Sequence, residues 1–246
     1  MQLNTFIHLL KEKGVETTVE PYTLHFYSAS DSLKVNIISD NTYVSTDSGI
    51  SLSKDYIVRF PEKTVAIVCS KLGLNKTIFA RKCETKNITK ISAEQFLNQY
   101  HLFGSTQSAY NYGLFSKDEL IAVASFSKGR KMNRLQAHER SFELIRFCSK
   151  NGINVSGGLS KLVKHFMNEK KAGDVMTYVD KQLSDGKSFI KAGFKKHSET
   201  EATYFLVNRI TYERKVLKNR EEIFDTSKYY LTQNAGSIKL IYSAKI

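Results

Sequence analysis

The sequence predicts a chain of mixed α+β and α/β class: a mixed central sheet flanked by helices, with a small α/β domain in front of it. Three observations predict this. Apolar residues recur at helical spacing in some segments and alternate in others. The two patterns are interleaved along the chain, as in layered α/β architectures. The charge balance also changes near residue 78. Residues 1–78 hold 8 basic and 8 acidic residues, whereas residues 79–246 hold 29 and 16, so the whole net charge of +13 belongs to the second part. The expected domains are residues 1–75 and 76–246.

Leu3, Phe6, Ile7 and Leu10 share one helical face, and Gly14 supplies a stop. Thr23–Tyr27 and Leu33–Ile37 alternate as strands, with Ser30 and Asp31 turning between them. Residues 40–53 are rich in Ser, Thr, Asp and Asn and read as a loop. Tyr56–Phe60 reads as a strand, and Pro61 opens a helix that ends at Gly73. In the second block, Phe79–Glu84 reads as a strand, and Ser92 caps a helix that buries Phe96 and Leu97. Tyr110–Phe115 and Leu120–Ser127 form two strands around a turn at 116–119. A polar basic stretch, 128–140, leads to a strand over Glu143–Ser149. Gly157 and Gly158 open a helix with Leu159, Leu162, Val163 and Phe166 on one side. A strand at Asp174–Val179, a short helix at Gly186–Ala192 and strands from Phe194 and at Tyr204–Asn208 follow. The tail reads as a helix near Glu221 and a strand near Ile238–Tyr242.

Composition narrows the class. Of 246 residues, 41% are hydrophobic, enough for a real core. No run approaches the roughly 18 apolar residues of a membrane span, and the first residues do not form a signal peptide's apolar region. Cys69, Cys83 and Cys148 are odd in number and widely spaced, which predicts reduced, mostly buried thiols, no metal site and a cytoplasmic location. The strong positive balance favours an anionic partner, with DNA the expected one.

The chemistry concentrates at Val155-Ser156-Gly157-Gly158-Leu159-Ser160-Lys161. Two glycines permit a tight turn and a close backbone approach. A helix N-terminus presents unpaired N–H groups and partial positive charge, which suit a phosphate. Gly157, Gly158, Ser160 and Lys161 are therefore the candidate cofactor-binding residues. Arg146, Ser160 and Asp180 fall at strand ends or at the helix start, where open α/β sheets bind ligands. Arg146 suits a phosphate or carboxylate and Asp180 suits a base. His101 is a further catalytic candidate.

The order strand, glycine-led helix, strand, short helix ending in Gly193-Phe194, strand resembles the GNAT-type acyltransferases. The match is carried by His101–Ser105, Tyr112–Phe115, Glu143–Phe147, Gly157–Leu162, Tyr178–Asp180 and Gly193-Phe194, flanked by Ile78–Cys83 and Asn234–Lys239. It is closer to the C-terminal domain of phage and mobile-element homing-endonuclease-like proteins, and more distantly to Mom-like DNA-modification proteins. The resemblance implies a GNAT-like fold, acetyl-CoA as cofactor, acyl transfer to a DNA base amine, and host cytoplasm as the location if the chain is phage-encoded. Two departures stand out. The phosphate loop has Asn154 and a Gly-Gly-x-Ser pattern instead of a leading Gln or Arg. Phe189 occupies a position where family members carry a Tyr, so it has no proton to give.

Thr23–Tyr27 and Ser32–Ile37 resemble the strand pair of PD-(D/E)xK-type nucleases. His25 and Asn36 stand where the metal-binding carboxylates would be, so this block reads as a degenerate nuclease domain that does not cut. Lys128, Arg130, Lys131, Arg134 and Arg140 form one basic cluster, and Arg209, Arg214 and Lys215 another, extended by Lys218 and Arg220. Both suit nucleic-acid phosphates. Three functions stay open: DNA modification, non-catalytic DNA binding, and N-acetylation of a small amine or a protein.

Overall fold

The computed structural model describes residues 2–21, 23–39, 49–217 and 223–243. In chain order its elements are α1 (Gln2–Lys11), β1 (Glu16–Glu20), β2 (Thr23–Tyr27), β3 (Ser32–Ile38), β4 (Ile50–Ser53), α2 (Lys54–Arg59), α3 (Pro61–Lys71), β5 (Lys76–Phe79), a 3-10 turn (Ala80–Lys82), β6 (Glu84–Asn87) and α4 (Lys90–Tyr100). Then come β7 (Tyr110–Ser116), β8 (Glu119–Phe126), β9 (Ser141–Ser149), β10 (Ile153–Ser156), α5 (Gly158–Lys170), β11 (Asp174–Asp180), α6 (Lys187–Lys191) and β12 (Lys195–Glu199). The last strands are β13 (Tyr204–Asn208), β14 (Arg214–Val216), β15 (Tyr229–Gln233) and β16 (Ser237–Ser243). The helix expected near Glu221 and the loop residues 40–48 lie outside the described residues.

Contacts divide the chain into two compact units. The first comprises Met1–Leu74, Asp180–Asp185 and Glu199–Ser237; the second comprises Asn75–Val179, Gly186–Ser198 and Ile238–Ile246. A division at residue 75 alone would leave 199–237 with the second block. Its strands instead contribute Arg214 to a buried pair with Asp55 in the first unit.

In the first unit, β1, β2 and β3 are antiparallel and β4 lies parallel to β3. Phe6 and Leu10 of α1 pack with Phe26, Val35, Leu52 and Val68, all fully buried. Gly14, at φ +75, ends α1 as its position predicts. Two expectations fail here. Residues 50–53 form β4, not loop, because Ile50 and Leu52 enter the core while Ser51 and Ser53 alternate with them. Tyr56–Phe60 is not a strand. The segment coils as α2, which buries Ile57 and sets Asp55 and Tyr56 against Arg214. The Arg214 guanidinium makes a bidentate pair with Asp55 at 2.5 and 2.9 Å and lies 3.8 Å from the Tyr56 ring centroid.

In the second unit a seven-stranded sheet runs β12-β16-β11-β9-β8-β7-β6. It is mixed: β6 to β9 are antiparallel, while β11 joins β9 in parallel. Strand β8 is apolar almost throughout because both its faces are covered. Ala122, Ala124 and Phe126 meet α5, and Val123 meets Phe96 and Leu97 of α4. The β7–β8 turn has Lys117 at φ +50 and Asp118 at φ +65, as a two-residue hairpin requires. Residues 79–84 are not one strand: the 3-10 turn separates β5 from β6, and β5 pairs with β10 in a separate two-stranded parallel sheet. Thr89, not Ser92, caps α4; its hydroxyl accepts from the Ser92 N–H at 3.1 Å. The order β10, α5, β11, α6, β12 is the one that the acyltransferase resemblance implies, and the mixed sheet flanked by helices is the fold class expected.

The apolar face of α5 seats the helix on this sheet. Phe166 stacks on Phe126, with centroids 3.9 Å apart and planes 3° from parallel, and meets Phe142 edge-on at 5.0 Å. We expect Phe166→Ala to destabilise the second unit by about 3–5 kcal/mol in urea unfolding. We expect Arg214→Met to cost the first unit a similar ~3–5 kcal/mol, because it strands the Asp55 carboxylate. Arg214→Met combined with Asp55→Leu should recover part of that loss.

Candidate functional site

The sheet opens where β9 and β11 part. They pair only between Ser141–Glu143 and Asp174–Met176, although β9 runs on to Ser149 and β11 to Asp180. Thr177 Oγ1 donates to the Leu144 carbonyl at 2.9 Å just past the last pair. On its other edge β9 carries a bulge: Ser125 pairs with Arg146 and Phe126 with Leu144, which leaves Ile145 extra. Bulges of this kind bend a strand and re-aim its side chains. Arg146 follows the bulge. Its Nε donates to the Gly104 carbonyl at 3.1 Å and its Nη1 to the Ile145 carbonyl at 3.0 Å, and burial lowers its pKa. The guanidinium thus braces the bulged strand against the loop after α4.

In the same unit, β10 delivers the chain to α5. Gly157 sits at φ +77, a conformation strained for residues with a Cβ. A Cβ on Gly158 would lie 3.0 Å from Val155 Cγ1 and 3.3 Å from Leu114 Cδ1. The two glycines therefore have separate reasons: the first for its backbone angle, the second for close packing of the helix start. Lys161 lines the pocket at this helix start and also holds the neighbouring turn. Its Nζ donates to the carbonyls of Ala80, at 3.0 Å, and Cys83, which ties the 3-10 turn to α5.

Two pockets flank the first turns of α5 and share Ser160 and Lys164. One, of about 460 Å³, is lined by Phe79, Arg81, Ser156, Gly157 and Ser160, with the Arg81 guanidinium 5.1 Å over the Phe79 ring. The other, of about 540 Å³, is lined by Lys164, Lys191, Lys195, Lys196, His197 and Tyr242. Among the described residues, no carboxylate lines either pocket. Gly193, at φ +104, forms part of the second wall, and a Cβ there would come within 2.9 Å of the Tyr242 ring. None of Lys164, Lys191, Lys195, Lys196, His197 and Tyr242 stands out as a site residue in the sequence. The available signal was Lys195-Lys196-His197 directly after Gly193-Phe194, with Lys164 one turn beyond Ser160.

The remaining candidates lie elsewhere. His101 ends α4, where its Nδ1 accepts from the Phe103 N–H at 3.1 Å, a turn-closing role. Asp180 belongs with the first unit and is not grouped with Arg146 and Ser160, which belong to the second. Its Oδ1 accepts from the Gln182 N–H at 2.8 Å, and burial raises its pKa against the opposing pull of that bond and of Arg214. His25 lies 3.5 Å from Glu20, and Asn36 is buried where Thr23 donates to it at 3.5 Å.

The cations expected on nucleic acid divide sharply. Arg134 makes a bidentate pair with buried Asp174 at 2.7 and 3.0 Å and bonds Ser141. Arg130 pairs with Glu143 at 2.8 Å, Arg140 caps the Ala137 and Glu139 carbonyls, and Arg209 bonds the Thr226 carbonyl. Arg214 is bound to Asp55. Lys128, Lys131 and Lys215 are exposed. Lys218 and Arg220 lie outside the described residues. Among the described residues there is no cluster of metal-ligating side chains, and no helix is long and apolar enough to cross a membrane.

Because burial raises the Asp180 pKa, this carboxyl favours the folded state when protonated. Its contribution is present below the unfolded carboxyl range, about 3.9, and is lost as pH rises through its higher folded value. Asp180→Asn keeps an acceptor for Gln182 and removes that loss. We expect its stability relative to the parent, from urea midpoints, to rise with pH across this window and then level off.

Solved structures similar to this chain include an acetyltransferase from Bacillus subtilis in complex with CoA, at 15% identity and a TM-score of 0.42, covering 66% of this chain and 99% of that one. A GNAT family acetyltransferase from Elizabethkingia anophelis with acetyl-CoA bound is similar at 14% identity and a TM-score of 0.38, over 66% of this chain and 98% of that one. The ribosomal-protein-S18-alanine N-acetyltransferase of Escherichia coli is similar at 11% identity and a TM-score of 0.41, over 67% and 95%. No protein-family model matches the sequence, and no curated protein sequence matches it either.

Proposed function

We propose that this chain is an N-acyltransferase that takes its acyl group from an acyl-CoA donor and passes it to an amine. The observation that carries the reading is that three features occur in one unit: parted parallel strands, a glycine-led helix start, and pockets lined by cations and, among the described residues, by no carboxylate. These residues fit such a donor. Gly157 and Gly158 leave the turn bare of side chains, as close approach of a diphosphate to backbone N–H groups requires. Ser160 and Lys164 add a hydroxyl and a cation. The opening between β9 and β11 suits an extended, largely uncharged arm, since strand edges there have no partner in each other.

A bound acyl-CoA would supply the thioester carbon that the amine attacks, with the thiolate leaving. The chain's own contribution is positioning and polarity. The β9 bulge, braced by Arg146, fixes the backbone that faces the opening. Phe189 packs against Phe194 and moves no proton. On this reading the amine attacks in its deprotonated form, and the rate should rise with pH towards the amine's own pKa.

The acceptor is a small or protein amine on this reading. The DNA-directed version draws on cations of which Arg130, Arg134 and Arg214 are already paired with carboxylates. A salt-dependent DNA grip would depend on Lys128, Lys131 and Lys215, with Arg140 and Arg209.

The test is calorimetric titration with acetyl-CoA, followed by release of free thiol in the presence of polyamines, amino acids and N-terminal peptides. Binding, with thiol release that increases with pH, is the expected outcome. Absence of both acetyl-CoA binding and thiol release would overturn the proposal. A mass shift on nucleosides from DNA, with none on the other amines, would reassign the acceptor.

A further inference from the structure

We propose that Arg146 holds the carboxylate of the acceptor, and that the amine acylated by this protein is the amine of a free amino acid. This rests on the acyl-CoA reading above and names the substrate class that the reading leaves open.

Arg130, Arg134 and Arg214 each meet a carboxylate, those of Glu143, Asp174 and Asp55 in turn. Among the described residues Arg146 forms no ion pair. Its Nε donates to the Gly104 carbonyl and its Nη1 to the Ile145 carbonyl. A guanidinium has five N–H donors, so three are left, all at the Nη end of the fork. The side chain is half-buried, and burial disfavours its charge. A partly desolvated cation without a counter-ion is stabilised by an anion that reaches it. Glu143, a carboxylate of the same strand, is already bonded to Arg130 at 2.8 Å.

The register shows which face Arg146 occupies. It lies opposite Ser125 of β8, two residues after Val123, which meets α4. On β11, Val175 and Val179 join the core with α5, so Met176 and Tyr178 belong to the opposite, α4 face. Met176 and Glu143 are the last pair before the strands part. Arg146 and Tyr178 therefore stand beyond that pair, one on each strand, on one face of the opening. The face is uncovered here. Tyr178 is 43% exposed, and Phe103, next to the Gly104 that Arg146 bonds, is 41% exposed. All these residues belong to the second unit.

A free amino acid carries its amine and its carboxylate on one carbon. A carboxylate held by Arg146 thus keeps the amine beside the opening. The planar fork matches the two oxygens of a carboxylate. The amine nitrogen bonds the acyl carbon, the C–S bond breaks, the thiolate leaves, and the surplus proton of the nitrogen passes to water. A polyamine brings only positive charge to Arg146 and is repelled by it.

The experiment measures thiol release from acetyl-CoA by the full chain with the free protein amino acids, each beside its carboxamide, and with spermidine. Rates are compared per deprotonated amine, because the amide's amine has the lower pKa. The expected result is a kcat/KM at least about tenfold higher for an amino acid than for its amide, the scale of one charge-assisted hydrogen bond, with the difference in KM. In Arg146→Gln the amino acid and its amide should become alike. A merely structural role would slow both and keep their ratio. In the parent, the 2-hydroxy acid of the same side chain, which has the carboxylate without the amine, should compete with the amino acid. Turnover of the amides as fast as the acids, of spermidine alone, or of no amino acid would overturn the assignment, and with acetyl-CoA still bound it would leave the acyl-CoA reading standing. So would a ratio that survives in the variant, or a hydroxy acid that does not compete. Absence of both acetyl-CoA binding and thiol release would remove the acyl-CoA reading, and this inference with it.

Discussion

The stacking of Phe166 on Phe126 is the contact on which the second unit depends. It sits midway along the buried face of α5 and sets how that helix lies on the sheet. The helix start then has little freedom. Gly158 is wedged against Val155 and Leu114, and Lys161 reaches out to hold the turn at Ala80–Lys82. Both pockets are bounded by the same two turns of α5. The geometry of the polar site is thus inherited from an apolar interface on the other side of the same helix. This is the economical way to hold a site, because packed side chains in rotamer minima yield less than loops do.

The positive charge of the chain is not one surface. The arginines are largely committed within the fold: Arg134 to Asp174, Arg214 to Asp55, and Arg146 to backbone carbonyls. Their planar forks suit such bidentate or carbonyl-bracing roles. The lysines of α5, α6 and β12 remain at the protein surface around a cavity. A basic total therefore does not by itself mark a nucleic-acid surface. Counting charge along the chain assigned it to the correct part without showing which cations are paired.

Legibility followed period and punctuation. The amphipathic pattern of α5, the alternation in β2 and β3, and the two-residue turn between β7 and β8 were all readable, because each is set by neighbours in sequence. The glycine-led turn was readable for the same reason. Segments that failed are those in which a distant partner decides. Tyr56–Phe60 has the composition of a strand, yet Asp55 and Tyr56 meet Arg214, 159 positions from Asp55, and the segment coils. Strand β4 hides two serines on a buried face and so reads as loop. Strand β10 is too short to announce itself without β5 beside it.

The sequence by itself determined the class of fold, the order of elements around Gly157-Gly158 and the absence of a protonated side chain at Phe189. These depend on residue type and local spacing. Only the tertiary structure decided what each polar residue does. It tied Lys161 to the Ala80 and Cys83 carbonyls, set Arg214 in a buried pair with Asp55, and let His101 Nδ1 accept from the Phe103 N–H. It also assembled Lys164, Lys191 and Lys195 into one cavity. The physical reason is that a charge has no assigned partner until the backbone has brought distant carbonyls, carboxylates and cations within a few ångströms, and nothing in local spacing encodes that distance.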